Sequence, residues 1–304
     1  MLQIIIILTL LLIPNLSYAL RAVTLPLNET FDSAEAIADI IYGNASCPSA
    51  TVEWDASGYS GGGVKLVPPS GTEGQCTIGI GGITFTPQDT INIRIMVKFG
   101  PDYPENPYSV GYGTQNKFMI ITPSAGGERG MTILERNSDA EPDDYTFGVC
   151  SDNSCLYSDM GRASYEWISG CWTEENHYSF PRADGLWNLR DYLNEWIAFE
   201  LMVDGPNKET KIFMWTKDGV FNGQYLMTLS GACVIWENTV HFTAIQAIGG
   251  FFNGGHTASE NTWIRFDNLA VQASPSGGFI GPPDGFLGSV PTVTGCTLAG
   301  ASLY

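Results

Sequence analysis

β-Elimination beside a carboxylate needs a base for the proton, an acid for the departing oxygen and a cation to neutralise the carboxylate. Arg94, Lys98, His241 and Gln246 have the side chains for those roles, with Lys117 and His256 as further members of the set. Hydrolysis of an acetal would instead need two carboxylates flanking the bond. Glu200 and Asp204 share one side of an alternating run, but Met202 stands between them and their Cα atoms would lie ~13 Å apart in an extended chain. Asp204 also opens an Asp-Gly-Pro-Asn turn, where an aspartate is expected on conformational grounds. Gly58-Tyr-Ser60-Gly-Gly62 has the letters of a nucleophile elbow without the strand before it or the helix after it, so it reads as a turn.

Recognition without bond cleavage asks for less: flat rings to cover the apolar faces of a ring-shaped polar ligand, and polar groups for its hydroxyls. Trp167, Trp172, His177, Arg182 and Trp187 supply both kinds in one stretch, together with Glu174, Glu175 and Asn176. These rings could equally plug the core beneath a long loop. Seven cysteines without histidine partners at metal spacing argue against zinc.

Several properties bound what can position these groups. Residues 1–19 read as a cleaved signal peptide: an apolar run at Ile4–Ile13, too short to span a bilayer, then Pro14 and a small-residue site at Ser17-Tyr18-Ala19. The run lacks a preceding lysine or arginine, a departure from the usual pattern. This predicts an exported protein (secreted, periplasmic or held at a cell surface) with no membrane insertion after cleavage. With 14 basic against 32 acidic side chains the formal charge is −18, which excludes a nucleic-acid partner on electrostatic grounds. It disfavours a polyanionic ligand less strictly, because a local basic strip can oppose the overall field. Cysteines in an exported chain read as disulfides. Cys150 and Cys155 bracket a short loop, Cys47 with Cys76 and Cys171 with Cys233 are plausible pairs, and Cys296 is then left over, free or linking two chains.

Along the chain the dominant signal is strand periodicity. Ile91, Ile93, Ile95, Val97 and Phe99 alternate with Asn92, Arg94, Met96 and Lys98. Ile197, Phe199, Leu201 and Val203 alternate with Trp196, Glu200 and Asp204. Further strands are predicted near Val23–Asp32, Gly63–Val67, Cys76–Ile80, Lys117–Thr122, Met131–Glu135, Lys211–Trp215, Tyr225–Thr228, His241–Gly249 and Trp263–Val271, separated by Asp-Gly and Asn-Gly turns. Ser33–Ile41 alone has a helical look. Tyr145–Trp196 breaks the rhythm and reads as an irregular aromatic insertion stapled by cysteines. The expected organisation is a signal peptide (1–19), one all-β antiparallel sandwich (20–273) and a Gly/Pro/Ser-rich tail (274–304).

Asn194-Glu-Trp196 leading into a strand, Lys211-Ile-Phe-Met-Trp-Thr-Lys-Asp-Gly219, Ile248-Gly-Gly-Phe-Phe-Asn253 and Arg265-Phe-Asp-Asn-Leu-Ala-Val271 resemble concanavalin A-like jelly rolls. That superfamily includes laminin-G-like and lectin-like modules, polysaccharide lyases and glucanases. The resemblance spans about Phe31–Val271 and implies a jelly-roll sandwich that binds a polysaccharide or glycan. Cleavage of a uronate polymer by β-elimination is its enzymatic alternative, and an extracellular adhesive subunit, linked through Cys296, is a third. Alginate-lyase-like members carry Tyr-Phe-Lys-Ala-Gly-x-Tyr-x-Gln near the end. Aligned on Gly249, this chain has Ala247 for the lysine, Phe251 for the second tyrosine and Asn253 for the glutamine. Because first and last strands lie side by side in this architecture, the resemblance makes a structural calcium at Asp32 and Asp267 a candidate, with Asp139, Asp143 and Asp144 a second oxygen-rich loop. No cofactor is required by any of these readings.

Overall fold

The computed structural model describes residues 21–43, 49–68, 76–102, 115–123, 130–136, 145–151, 154–157, 192–207, 209–219, 222–230, 241–253, 260–273 and 279–286. In chain order the strands are β1 (Arg21–Ala22), β2 (Leu27–Glu29), β3 (Ile41–Gly43), β4 (Thr51–Asp55), β5 (Gly63–Val67), β6 (Cys76–Gln88), β7 (Thr90–Phe99) and β8 (Gln115–Pro123). They continue with β9 (Gly130–Arg136), β10 (Tyr145–Ser151), β11 (Ser154–Tyr157), β12 (Trp196–Asp204), β13 (Glu209–Thr216), β14 (Asn222–Ser230), β15 (Phe242–Asn253) and β16 (Ile264–Ala273). Among the described residues one short helix, α1 (Ala34–Ala38), starts at Ser33, whose hydroxyl accepts the Ala36 N–H as an N-cap should. Among the described residues no helix is long and apolar enough to cross a membrane.

The strands form two eight-stranded sheets. The first runs β1-β6-β15-β8-β9-β10-β11, with β3 also on β6; the second runs β14-β13-β12-β7-β16-β5-β4, with β2 on β16. Neighbours are antiparallel except β1 on β6. The expected sandwich is therefore what the chain forms. Its core lies between the sheets, where Ile80, Ile83, Phe242, Ile245 and Ile248 of the first meet Ile93, Ile95, Phe199, Leu201, Phe266 and Val271 of the second. Burying each such side chain stabilises the fold by about 1.5–3 kcal/mol. Both alternating runs keep the phase read from the sequence: Ile91, Ile93, Ile95, Val97 and Phe99 are buried with Ile197, Phe199, Leu201 and Val203 in that core.

Two sequence expectations need correction. Tyr145–Trp196 is not irregular throughout, since β10 and β11 lie at its start and extend the first sheet, with Cys150 in register opposite Cys155. Residues 158–191, which hold Trp167, Trp172, His177, Arg182 and Trp187, lie outside the described residues, as do residues 1–20 and Cys296. Nor is the Gly/Pro/Ser-rich segment after 273 free of the core throughout. Phe286 is buried and Phe279 partly so, against Met96, Ala198, Met202, Phe213 and Trp215 on the outer side of the second sheet.

Candidate functional site

That outer side is where polar and aromatic groups converge, and strand register is what gathers them. Pairing of β12 with β7 sets Glu200 opposite Arg94, Met202 opposite Asn92, Ala198 opposite Met96 and Trp196 opposite Lys98. β13 adds Phe213 beside Glu200 and Trp215 beside Ala198. On the other flank β16 brings Ala270 to Arg94 and Asp267 to Met96. A bulge at Asn268 (φ 47°) inserts the extra residue between Asp267 and Ala270, so both sides of it keep their apolar residues inward.

At the centre sits Glu200, fully buried. Asn92 Nδ2 donates to its Oε1 at 2.8 Å. The other two partners come from the chain's own C-terminal segment: the Ile280 N–H donates to Oε1 and the Gly281 N–H to Oε2, each at 2.9 Å. Arg94 Nη1 donates to the Gly281 carbonyl at 3.2 Å. Gly281 has φ 82°, a conformation that a side chain would strain, so glycine lets the backbone present both groups here. Burial pushes the Glu200 carboxyl above the usual glutamate range, against hydrogen bonds from Asn92, Ile280 and Gly281 and the nearby Arg94, which pull it down. Burial likewise lowers the Arg94 guanidinium, and Glu200, Tyr59 and Asp284 oppose that shift.

Aromatic rings wall this centre. Tyr59 meets Trp196 edge-on with centroids 5.9 Å apart and Phe286 at 5.8 Å, and its hydroxyl donates to the Asp284 carbonyl. Phe213 stacks on Trp215 at 6.2 Å and receives the edge of Phe279 at 4.3 Å. Residues 279–286 thus form a strap, pinned by Phe279 and Phe286 at its ends and turned by a Phe286 N–H to Pro283 O bond. The closure is chemically incomplete: Asn92 Oδ1, Arg94 Nε and Trp215 Nε1 are buried without a hydrogen-bond partner. Such orphans are rare in folded proteins, and each costs about 1–3 kcal/mol.

Of the residues proposed for β-elimination, Arg94, Lys98, His241 and Gln246 are not brought together, and His256 lies outside the described residues. Arg94 and Lys98 lie on this outer face of the second sheet, whereas Gln246 belongs to β15 of the first sheet. His241 immediately precedes β15, where its Nδ1 pairs with the exposed Asp89 carboxylate. Burial and the neighbouring Arg265 both lower the Lys98 ammonium. Asp204 does what its turn predicts, accepting the Asn207 N–H at 2.9 Å and Asn207 Nδ2 at 2.8 Å.

Asp267 is committed to its own loop. Its Oδ2 accepts the Ser60 N–H at 2.8 Å and its Oδ1 the Asn268 N–H at 2.7 Å, which closes the Gly58–Gly62 turn onto the bulge. Asp32 accepts the Thr30 hydroxyl. Both Asp267 oxygens are thus engaged by main-chain donors, and the second loop, Asp139, Asp143 and Asp144, lies outside the described residues. Among the described residues no cluster of three or more His, Cys, Asp or Glu side chains could hold a metal.

Sequence reasoning placed Glu200, Arg94 and Trp196 on polar strand faces but missed their convergence with Asn92, Tyr59 and Trp215, and missed the strap. The available signal was a charged residue in the middle of each of β7 and β12, together with two phenylalanines flanking Gly281-Pro-Pro-Asp-Gly285 in a segment otherwise poor in core residues.

No family model and no curated protein matches the sequence. Among solved structures, lectin UEA-II in complex with galactose overlaps 82% of this chain and 98% of its own, at 11% identity and a TM-score of 0.43. A sialidase overlaps 82% of this chain at 8% identity and a TM-score of 0.43, and the chain spans only 18% of that protein's length. An alginate lyase in complex with alginate trisaccharide overlaps 71% of this chain and 77% of its own, at 10% identity and a TM-score of 0.33. Overlap at this level leaves function to be read from the chain's own residues.

Proposed function

We propose that this chain is an exported, glycan-recognising sandwich of the concanavalin A-like kind, and that the outer face of its second sheet is the sugar-binding surface. The carrying observation is the set of buried, unpartnered polar atoms on that face, Asn92 Oδ1, Arg94 Nε and Trp215 Nε1, around the Glu200 carboxylate and beside aromatic rings. A sugar meets both demands together. Its C–H faces pack on Trp196 and Tyr59, and its hydroxyls act as donors and acceptors toward the carboxylate, amide and guanidinium. Titration calorimetry of the full chain with alginate and polygalacturonate oligomers, and with neutral cello-oligosaccharides, tests this. Arg94→Ala and Trp196→Ala should each weaken binding about tenfold or more, a loss of ~1.4 kcal/mol. Unchanged affinity in both variants would place the ligand elsewhere.

A uronate lyase is the second reading, favoured by the Tyr59 phenol and the Arg94 guanidinium meeting on the same strap. Burial and Asp284 raise the phenol while Arg94 lowers it. In that scheme Arg94 neutralises the uronate carboxylate. Tyr59 moves the proton from the carbon beside it to the departing glycosidic oxygen as the C–O bond breaks and a C=C bond forms. Appearance of the unsaturated-product absorbance with uronate polymers, abolished by Tyr59→Phe, separates this reading from binding alone.

A further inference from the structure

The contact between Glu200 and the strap has a specific chemical form. Two consecutive main-chain N–H groups, of Ile280 and Gly281, are laid on the two oxygens of one carboxylate, each at 2.9 Å. Beside them Arg94 donates to a carbonyl oxygen of the same peptide. Two adjacent hydroxyls on a sugar ring offer a carboxylate the same pair of neighbouring donors, and a ring oxygen, hydroxyl or uronate oxygen offers Arg94 the same acceptor. The strap's hydrogen bonds to Glu200 and Arg94 come from its main chain, with the Asp284 carboxylate acting on Arg94 only through its charge; its apolar anchors, Phe279 and Phe286, lie at its ends against Phe213 and Tyr59. The fit leaves three buried polar atoms unmet on the sheet side. A surface shaped only for this peptide would gain from replacing them with apolar groups.

We infer that Phe279–Phe286 is a displaceable self-ligand: its Ile280 and Gly281 amides occupy the place of a vicinal diol on Glu200, and the segment leaves as a unit when a diol-bearing sugar takes Glu200 and Arg94. The identity of the competing ligand rests on the proposed glycan function, whereas the reversible opening of the strap does not.

The Ile280 and Gly281 amides are the reporters, followed by hydrogen exchange in the full-length protein. Without ligand they should exchange at least about tenfold faster than the amides of β7 and β12, with little dependence on low urea, as local opening requires. In the Phe279→Ala/Phe286→Ala double variant their exchange should rise about tenfold more while β7 and β12 stay unchanged. Strap amides that follow the rate and urea dependence of β7 and β12 in both proteins would mark the segment as a fixed part of the fold and overturn the inference. Alginate oligomers and cello-oligosaccharides form the second arm. Binding should be about tenfold tighter to the double variant, because apparent affinity scales with the fraction of molecules whose strap is open. It should also deprotect Ile280 and Gly281 in the native chain. Binding that is equally tight in both proteins and leaves these amides protected would overturn the competition. Local opening with no sugar bound by either protein would overturn the glycan reading alone.

Discussion

At the scale of single residues, Glu200 decides the electrostatics of the site. Its carboxylate is buried and takes three donors, from Asn92, Ile280 and Gly281. Its pKa is nonetheless raised, with desolvation the largest cause. A carboxyl whose folded-state pKa lies above its unfolded value contributes stability that is complete below the unfolded pKa. That contribution is lost as pH rises through the folded value. Glu200→Gln removes this proton linkage. The stability difference between native protein and Glu200→Gln, from urea unfolding at a series of pH values, should therefore shrink steadily as pH rises from below the ordinary glutamate range. A difference that grows with pH would show that the hydrogen bonds outweigh burial. Glu200→Ala is harsher, because it strands buried donors, and should cost about 3 kcal/mol at neutral pH. Asp55 behaves oppositely: burial raises it, but the Ser57 N–H and Arg265 together hold it below the usual aspartate range. Its pairing with Arg265, at 2.9 and 2.8 Å, is lost as pH falls through that lowered value.

At the scale of elements, a tight constraint lies where β6 passes β15. A Cβ on Gly79 would stand 2.0 Å from the Ile248 carbonyl oxygen, and one on Gly249 would stand 2.8 Å from the Gly79 Cα. Neither obstacle is a side chain that can swing away. Gly79→Ala should therefore push the two strands apart and cost about 2–3 kcal/mol in chemical denaturation, with the loss concentrated in the first sheet's amide protection. Wild-type stability in that variant would mean that the strands separate without strain. β7 and β12 were largely legible in the sequence, because alternation over Ile91–Phe99 and Trp196–Val203 reports which face turns to the core whatever the partner strand, whereas β6 was legible only over Cys76–Ile80 of its Cys76–Gln88 span. The site was much less so. Asn92 and Glu200 are 108 residues apart, and only the β7–β12 register makes them hydrogen-bond partners. The strap left less trace still: Phe279 and Phe286 are anchors within a turn-rich segment, with no period of 2 or 3.6 residues to reveal the face they cover.

At the scale of the whole molecule, a formal charge of −18 surrounds a face that carries Arg94, Lys98 and Arg265 on neighbouring strands, with Lys98 directly opposite Arg265. The two fields act over different distances. Repulsion of an approaching polyanion by the whole chain is long-ranged and is screened once the Debye length falls from about 30 Å at 0.01 M salt to about 8 Å at 0.15 M. Contact with a partly buried guanidinium is screened far less over that range. The association rate of an alginate or polygalacturonate oligomer should therefore rise as salt increases from about 0.01 to 0.15 M, the reverse of a basic polyanion-binding protein. A neutral cello-oligosaccharide should show no such trend. Stopped-flow measurement of both ligands on the native chain and on Lys98→Ala reads this directly. The variant should bind the uronate oligomer more slowly at every salt concentration while keeping the upward slope. A rate that falls with salt would mean that the local cations, not the molecule's overall charge, govern the encounter.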